Sequence, residues 1–472
     1  MEEAAMRQVL PLHSFPPMSF TAPTPSLRSP IRLSSMLLAI LALFLLSSGN
    51  LVAQGVTSGG IDGVVTDAAA GPLVGASVTA VHVPSGTTYQ TTTRAGGVFT
   101  IGGMRVGGPY TVTVSLLGHR PGTTEGLDVV LGQSSRLSFV LTETAIELET
   151  LTVTAQQDAV LNSDRTGAAT TIARAEVVAL PTVRRSTRDL TRIDPRNDGN
   201  FSFGGRNWLY NNITLDGSYF NNSFGLDDPA PGGQTATEPV PFDAVEQVTV
   251  QIAPFDVRQS GFTGASINTV TRSGTNRWKV SGFAFYRNQS LVGNKVSGEE
   301  VIANPDLSVG QYGFSVGGPI IQDKLFFFLS GELTQRDDPG SDFVPNQGGA
   351  VDFGESRVEQ SVLDQITERM ATEYNFATGP YAGFLHETNS NKALLKVDWN
   401  LSSNHNFMFR YNRLDAERDL PPHPFVISIF DSGRGPNNTS LPSQNSGYQI
   451  NNELNSYAFE WNARSGEGKW AN

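Results

Sequence analysis

The chain has 472 residues, a formal net charge of −12, 39% hydrophobic residues and no cysteine. The acid excess excludes the basic stripe that a nucleic-acid groove needs, and the missing thiols exclude disulfides, thiolate metal sites and cysteine nucleophiles. A mean hydropathy of −0.19 argues against a bundle of membrane helices but not against a β-barrel, in which only every second strand residue need be apolar. Residues 4–61 contain no acid, and Arg28 and Arg32 precede the uninterrupted apolar run 36–46, the n-region and h-region of a secretory signal peptide. That run is too short for a spanning helix, which needs about 20 residues. Cleavage is expected after Ala53 or Gly49, so residues 1–53 read as a signal peptide with an N-terminal extension, Met18 being a plausible initiator.

In residues 54–143, short strands are predicted at 61–66, 76–83, 99–101, 110–115 and 137–141, with Gly96-Gly97, Gly102-Gly103 and Gly107-Gly108-Pro109 as punctuation. The pattern is that of a small antiparallel β-sandwich. Gly63-Val64-Val65-Thr66-Asp67, Pro72 to Val78, Gly97 to Ile101 and Tyr110-Thr111-Val112, in that order, resemble the carboxypeptidase regulatory-like domain. The resemblance implies a transthyretin-like, carbohydrate-binding-like fold. No convergent polar site stands out, and a spacer or docking role is the expectation. The same module accompanies zinc carboxypeptidases, so catalysis has to be weighed. None of His13, His82, His119, His386, His405 and His423 opens an H-x-x-E or H-E-x-x-H pair; His386-Glu387 comes nearest, but Ser390 stands where the second histidine belongs. With no G-x-S-x-G elbow and no P-loop either, no catalytic residue, metal site or cofactor is expected.

Residues 144–158 form a linker in which Leu151, Thr152, Val153, Thr154 and Ala155 are an extended, β-branched stretch with polar flanks. Such a stretch suits addition as a strand to a partner's sheet edge. It looks like a TonB box, which implies a TonB-like energy-transducing partner. Residues 159–275 follow, with short helices predicted at 174–180 and 186–193, each closed by a proline, at Pro181 and Pro195. An Arg188-Asp189-Leu190 helix, a Gly205-Arg206 loop, the turn Leu215-Asp216-Gly217, the strand Val245-Glu246-Gln247-Val248 and the exit Ile267-Asn268 to Ser273-Gly274 together resemble the plug of TonB-dependent receptors. Arg206, Asp216, Glu246 and Arg272 are the candidate site residues. All four are expected to be buried between plug and barrel wall, where charges persist when paired. Residues 220–238 read as an insert that reaches the extracellular mouth and touches ligand.

From residue 276 to 472 the alternation becomes that of a membrane barrel. Tyr312, Phe314 and Val316 alternate with Gln311, Gly313 and Ser315; Leu325, Phe327, Leu329 and Leu333 with Ser330, Glu332 and Thr334; Ala393, Leu395, Val397 and Trp399 with Lys392, Lys396 and Asp398; Phe407, Phe409 and Tyr411 with Arg410 and Asn412. Tyr457, Phe459 and Trp461 give one strand more. Short connections at 317–324 and 402–405 alternate with long polar ones at 337–389 and 417–447, as in bacterial barrels with short periplasmic turns and long outer loops. About six strands are predicted where plugged transporters use about 22, so the chain reads as C-terminally truncated. The fold class is therefore mainly β: a transthyretin-like sandwich, an α/β plug and the first strands of an antiparallel transmembrane barrel. The whole resembles the Oar-like group of TonB-dependent outer-membrane receptors. That resemblance implies a Gram-negative outer-membrane transporter, plug and N-terminal domain on the periplasmic side, whose ligand is a siderophore, glycan, peptide or protein. The alternative is a surface adhesin or glycan-binding β-protein without active transport.

Overall fold

The computed structural model of the chain describes residues 57–143, 151–152, 168–182, 184–199, 201–222, 229–252, 261–302, 306–402, 404–422 and 435–463. The predicted signal peptide and Val153, Thr154 and Ala155 lie outside the described residues.

The N-terminal sandwich has strands β1 (Gly59–Asp67), β2 (Ser77–His82), β3 (Thr87–Thr92), β4 (Val98–Met104), β5 (Gly107–Ser115), β6 (Gly122–Val129) and β7 (Ser134–Leu141). One sheet runs β4-β1-β7; the other runs β3-β2-β5-β6 and ends on β8 (Leu151–Thr152). Alternate residues of both sheets meet in a core of Ile61, Val65, Val78, Tyr110, Phe99 and Phe139. Two corrections to the sequence reading follow. β1 and β7 pair in parallel, so the sandwich is mixed rather than antiparallel. β3 and β6 were not foreseen, because Thr87 to Thr92 and Gly122 to Val129 are too rich in threonine and glycine to show an apolar alternation.

His82, at the end of β2, is buried, its Nδ1 2.6 Å from Ser85 Oγ and its ring 4.9 Å from that of Tyr110. Burial first, then the charges of Arg105 and Lys279, push its pKa from 6.5 down to about 3. The unfolded chain therefore takes up this proton near pH 6.5 and the native chain only near pH 3. Stability from neutral His82 is complete above the unfolded value and drains away as pH falls through that window, on the order of 4 kcal/mol in all. Urea unfolding of the sandwich at pH 7 and pH 4 is expected to show most of this loss, and His82→Gln is expected to flatten it.

The plug segment builds a sheet in the order β11-β10-β13-β12-β9 from β9 (Ala168–Ile172), β10 (Asn212–Leu215), β11 (Ser218–Tyr219), β12 (Val245–Ile252) and β13 (Ala265–Thr271). Helices α1 (Arg174–Ala179) and α2 (Thr187–Thr191) pack on β12. α2 starts where Ser186 Oγ accepts a hydrogen bond from the Asp189 amide at 3.2 Å, satisfying one of the donors a helix start leaves open. β13 is buried along its whole length. The plug core takes in Phe328 and Leu394 from the barrel wall, so plug and wall share one apolar cluster.

That wall is an antiparallel sheet in the order β14-β17-β18-β21-β22-β23, with β14 (Lys279–Asn288), β17 (Ser308–Ile321), β18 (Leu325–Pro339), β21 (Leu385–Ser402), β22 (His405–Leu420) and β23 (Tyr448–Ala463). Two small ladders, β15 (Lys295–Val296) with β16 (Glu299–Glu300) and β19 (Val344–Asn346) with β20 (Glu355–Glu359), lie in the long connections. The β17–β18 turn is tighter than the sequence suggested: only residues 322–324 turn, and Gly317, Gly318 and Pro319 continue β17. Gly318 is needed there because a Cβ would come within 2.8 Å of the Trp278 ring. The connection after β18, foreseen only as a long polar loop, contains the helix α3 (Gln360–Tyr374).

The outer face carries Tyr312, Phe314, Trp399, Phe409, Tyr457, Phe459 and Trp461, all exposed. Near the short turns, Phe407 stacks on Trp461 at 6.1 Å between centroids and packs at 5.7 Å from Trp399, the aromatic girdle of a membrane interface. Leu395 lies on this face, between the buried Leu394 and Lys396. Leu395→Arg is expected to cost ~2–4 kcal/mol at the bilayer midplane, read as a lower unfolding midpoint in lipid vesicles.

Candidate functional site: the junction of plug and barrel wall

Lys396 on β21 and Arg410 on β22 are direct partners across the strand pair, and both point inward. Like charges directly opposite one another destabilise a sheet. Asp216 of the plug resolves this repulsion: its Oδ1 lies 3.3 Å from Lys396 Nζ and its Oδ2 3.1 Å from Arg410 Nη1. The plug fold puts it there. β10 runs parallel to β13, Asp216 follows β10 with φ 43° at the head of a turn, and its amide donates to Thr269 O at 2.9 Å. An aspartate tolerates this left-handed conformation better than most residues. The carboxylate then accepts from Thr271 N at 2.8 Å and Thr271 Oγ1 at 2.6 Å. Arg410 Nη1 also donates to Leu215 O at 2.6 Å, and Lys396 Nζ to Thr271 O at 3.0 Å.

Asp216, Lys396 and Arg410 are all buried. Burial alone would raise the Asp216 pKa, but Lys396, Arg410 and the two Thr271 hydrogen bonds outweigh it and bring the value down to about 2. A second ionic contact lies close by on the wall, where Lys392 Nζ meets Glu332 Oε1 at 2.7 Å while Glu332 Oε2 accepts from the Phe242 amide of the plug at 3.2 Å. Arg185 of the plug adds a third: it pairs with Asp243 at 2.9 Å and lies 3.8 Å over the Phe283 ring of β14.

The candidate residues thus take different places. Asp216 is the centre of the plug–wall contact. Glu246 and Arg272 are half-buried at its edge, 4.0 Å apart, with Arg272 Nη1 donating to Asp243 O at 3.2 Å and to Ser315 Oγ of β17 at 3.4 Å. Arg206, expected at the wall, is exposed among the described residues, in a loop that turns back on itself through the Phe203–Arg206 bridge. Of the presumed TonB box, Leu151 and Thr152 pair in parallel with Gly122 and Thr123 at the β6 edge. In the insert, residues 223–228 lie outside the described residues, while Thr235 Oγ1 bonds Asn452 Oδ1 at 3.1 Å and Gln234 O accepts from Arg418 at 3.4 Å. The wall partners Glu332, Lys392, Lys396 and Arg410 were visible in the sequence only as the polar face of strands. The available signal was charge of both signs on a face that has to meet a charged plug.

Residues 270–462 match the family described as outer membrane beta barrel domain, and residues 60–142 match the carboxypeptidase regulatory-like domain. The TonB-dependent transporter Oar of Myxococcus xanthus is 30% identical over 156 residues, which make up 30% of this chain and 14% of that protein. Among solved structures, the outer membrane transporter YddB of Escherichia coli aligns with 63% of this chain and 37% of its own, at 14% identity and a TM-score of 0.40. The ferric enterobactin receptor PfeA of Pseudomonas aeruginosa aligns with 64% of this chain and 39% of its own, at 14% identity and a TM-score of 0.38. The chain therefore spans well under two thirds of the relatives it matches. The chain therefore carries an outer membrane beta barrel domain preceded by a carboxypeptidase regulatory-like domain, and over 156 residues it is similar to the TonB-dependent transporter Oar.

Proposed function

We propose that the protein is an energy-coupled transporter in which the Asp216 contact is the latch between plug and lumen wall. Ligand is captured by the long outer loops and by the plug surface beneath them. A TonB-like partner takes the segment 151–155 as an added strand and pulls, and the plug yields at the latch. The carrying observation is the shared ion cluster: one plug carboxylate separates two opposed wall cations at 3.3 and 3.1 Å. An interface of this kind is reversible. Withdrawal of Asp216 leaves Lys396 and Arg410 facing a lumen that water can fill, so their charges are rehydrated rather than stranded. The seam is also incompletely satisfied, since Arg410 Nε, Asn412 Oδ1 and Ser390 Oγ are buried without hydrogen-bond partners among the described residues, each a cost that opening relieves. The barrel supplies a closed scaffold for backbone groups in lipid, and no chemistry on the substrate is involved.

The test compares cells lacking this protein, cells lacking the TonB-like partner and wild type for uptake of siderophores, glycans and peptides and for secreted protein. One compound class changed alike in both deletions is the expected outcome. A phenotype of the receptor deletion that the partner deletion does not share would indicate the adhesin alternative.

A further inference from the structure

The sandwich is not suspended freely beneath the barrel. Its β2–β3 turn sits on the short-turn, periplasmic end of the wall. Asn400 Nδ2 donates to Thr87 Oγ1 at 2.7 Å, and the Asn276 amide donates to Pro84 O at 2.7 Å. At Gly86 the fit to the β17–β18 turn is so close that a Cβ would lie 2.2 Å from Asp323 Oδ1. On the far side of the contact, Thr57 Oγ1 donates to Glu460 Oε1 at 2.7 Å, and Arg105 lies 3.4 Å from both Asp398 Oδ2 and Gly274 O. The seat is tied into the sandwich core, because Thr87 Oγ1 is 2.7 Å from Ser85 Oγ, which is 2.6 Å from His82. Sandwich, plug and wall together line a partly open polar cavity of about 200 Å³, with Asp216, Glu246, Arg272 and Lys396 above and Tyr89 and Arg105 on the sandwich side.

We infer that the regulatory-like domain is an inner cap on the transport path: docked, it closes the periplasmic side of the chamber beneath the latch, and passage requires the β2–β3 turn to leave the barrel rim. The contact is suited to release. At the rim it consists of polar and charged pairs, which exchange for water at little cost, and its apolar part is one small cluster, Val106 and Leu131 of the sandwich against Val270 of β13. The inference takes its transport context from the proposed function, but its closure can be measured without any transport.

This chain has no cysteine, so Ser273→Cys, in a full-length receptor with any cysteine outside these 472 residues replaced by serine, places a single thiol on the cavity wall. Its reaction with a bulky, membrane-impermeant polyethylene-glycol maleimide is followed from the periplasmic side, with the energy-transducing partner absent. Labelling is expected to be slow, and at least about tenfold faster when the cap is undocked from the barrel side by Asp398→Arg with Asn400→Ala, or from the sandwich side by Gly86→Glu, as the open population rises. Equal rates in proteins that keep heat-modifiable mobility would overturn the cap. For the case in which undocked variants do not fold, Thr87→Cys with Asn400→Cys is treated in intact outer membranes with a short thiol cross-linker; efficient linkage supports docking, and its absence overturns it. A labelling contrast in a protein with no partner-dependent transport would keep the cap and discard the transport reading.

Discussion

Asparagine at position 216 is expected to loosen the plug by ~3–5 kcal/mol, the usual cost of removing one member of a buried ionic group. Asparagine keeps the shape of the side chain and accepts a left-handed φ, so the loss isolates the charge from the turn. Two cations directly opposite each other on β21 and β22 would then face the plug without a counter-charge. The measurement is protease sensitivity and urea unfolding of the plug in the reconstituted receptor. Lys396→Met in the same background is expected to recover part of the loss by removing one stranded cation. Acid is expected to be a poor substitute for the mutation. The Asp216 pKa is depressed to about 2, so the latch's stabilisation is full above the ordinary carboxylate range and disappears only as pH falls through the native value.

Proline at position 153 is expected to abolish energised function while leaving insertion into the membrane unchanged. A peptide that adds to a sheet edge is held through main-chain hydrogen bonds, and proline removes a donor in the middle of the segment. The neighbouring Leu151 and Thr152 already pair with the β6 edge in the resting chain, which fits a stretch that exchanges one sheet edge for another. Partner co-purification and partner-dependent transport are the readouts. Normal transport in Val153→Pro would reduce the segment to a linker.

The barrel strands were legible because lipid and lumen impose a period of two on 14 to 18 residues at a time in β17, β18, β21, β22 and β23. Tyr312, Leu395 and Phe459 face outward as their alternation required. Most of the sandwich was legible: β1, β2, β4, β5 and β7 announce themselves through valine, isoleucine, leucine and aromatic residues, whereas β3 and β6 are held by pairing to neighbours and carry little apolar signal of their own. α3 was overlooked because its connection was read from its glycines, prolines and charges, although Gln360 to Tyr374 contains neither glycine nor proline and includes Gln360, Leu363, Gln365, Glu368, Arg369, Met370 and Ala371, all good helix formers. At the site, Asp216 could be named from the turn it occupies, but its partners could not. Lys396 and Arg410 lie 180 and 194 residues away in sequence, and only strand register sets them opposite each other. Arg206 is exposed among the described residues, where its loop folds on itself.

The most direct measurement is single-molecule pulling on the full-length receptor in a bilayer, with force applied through residues 151–155. The plug is expected to yield first, as a discrete extension with the barrel intact, and at a lower force in Asp216→Asn than in the native chain. A plug that stays while the barrel unravels, or a rupture force indifferent to Asp216, would contradict a latch between plug and wall.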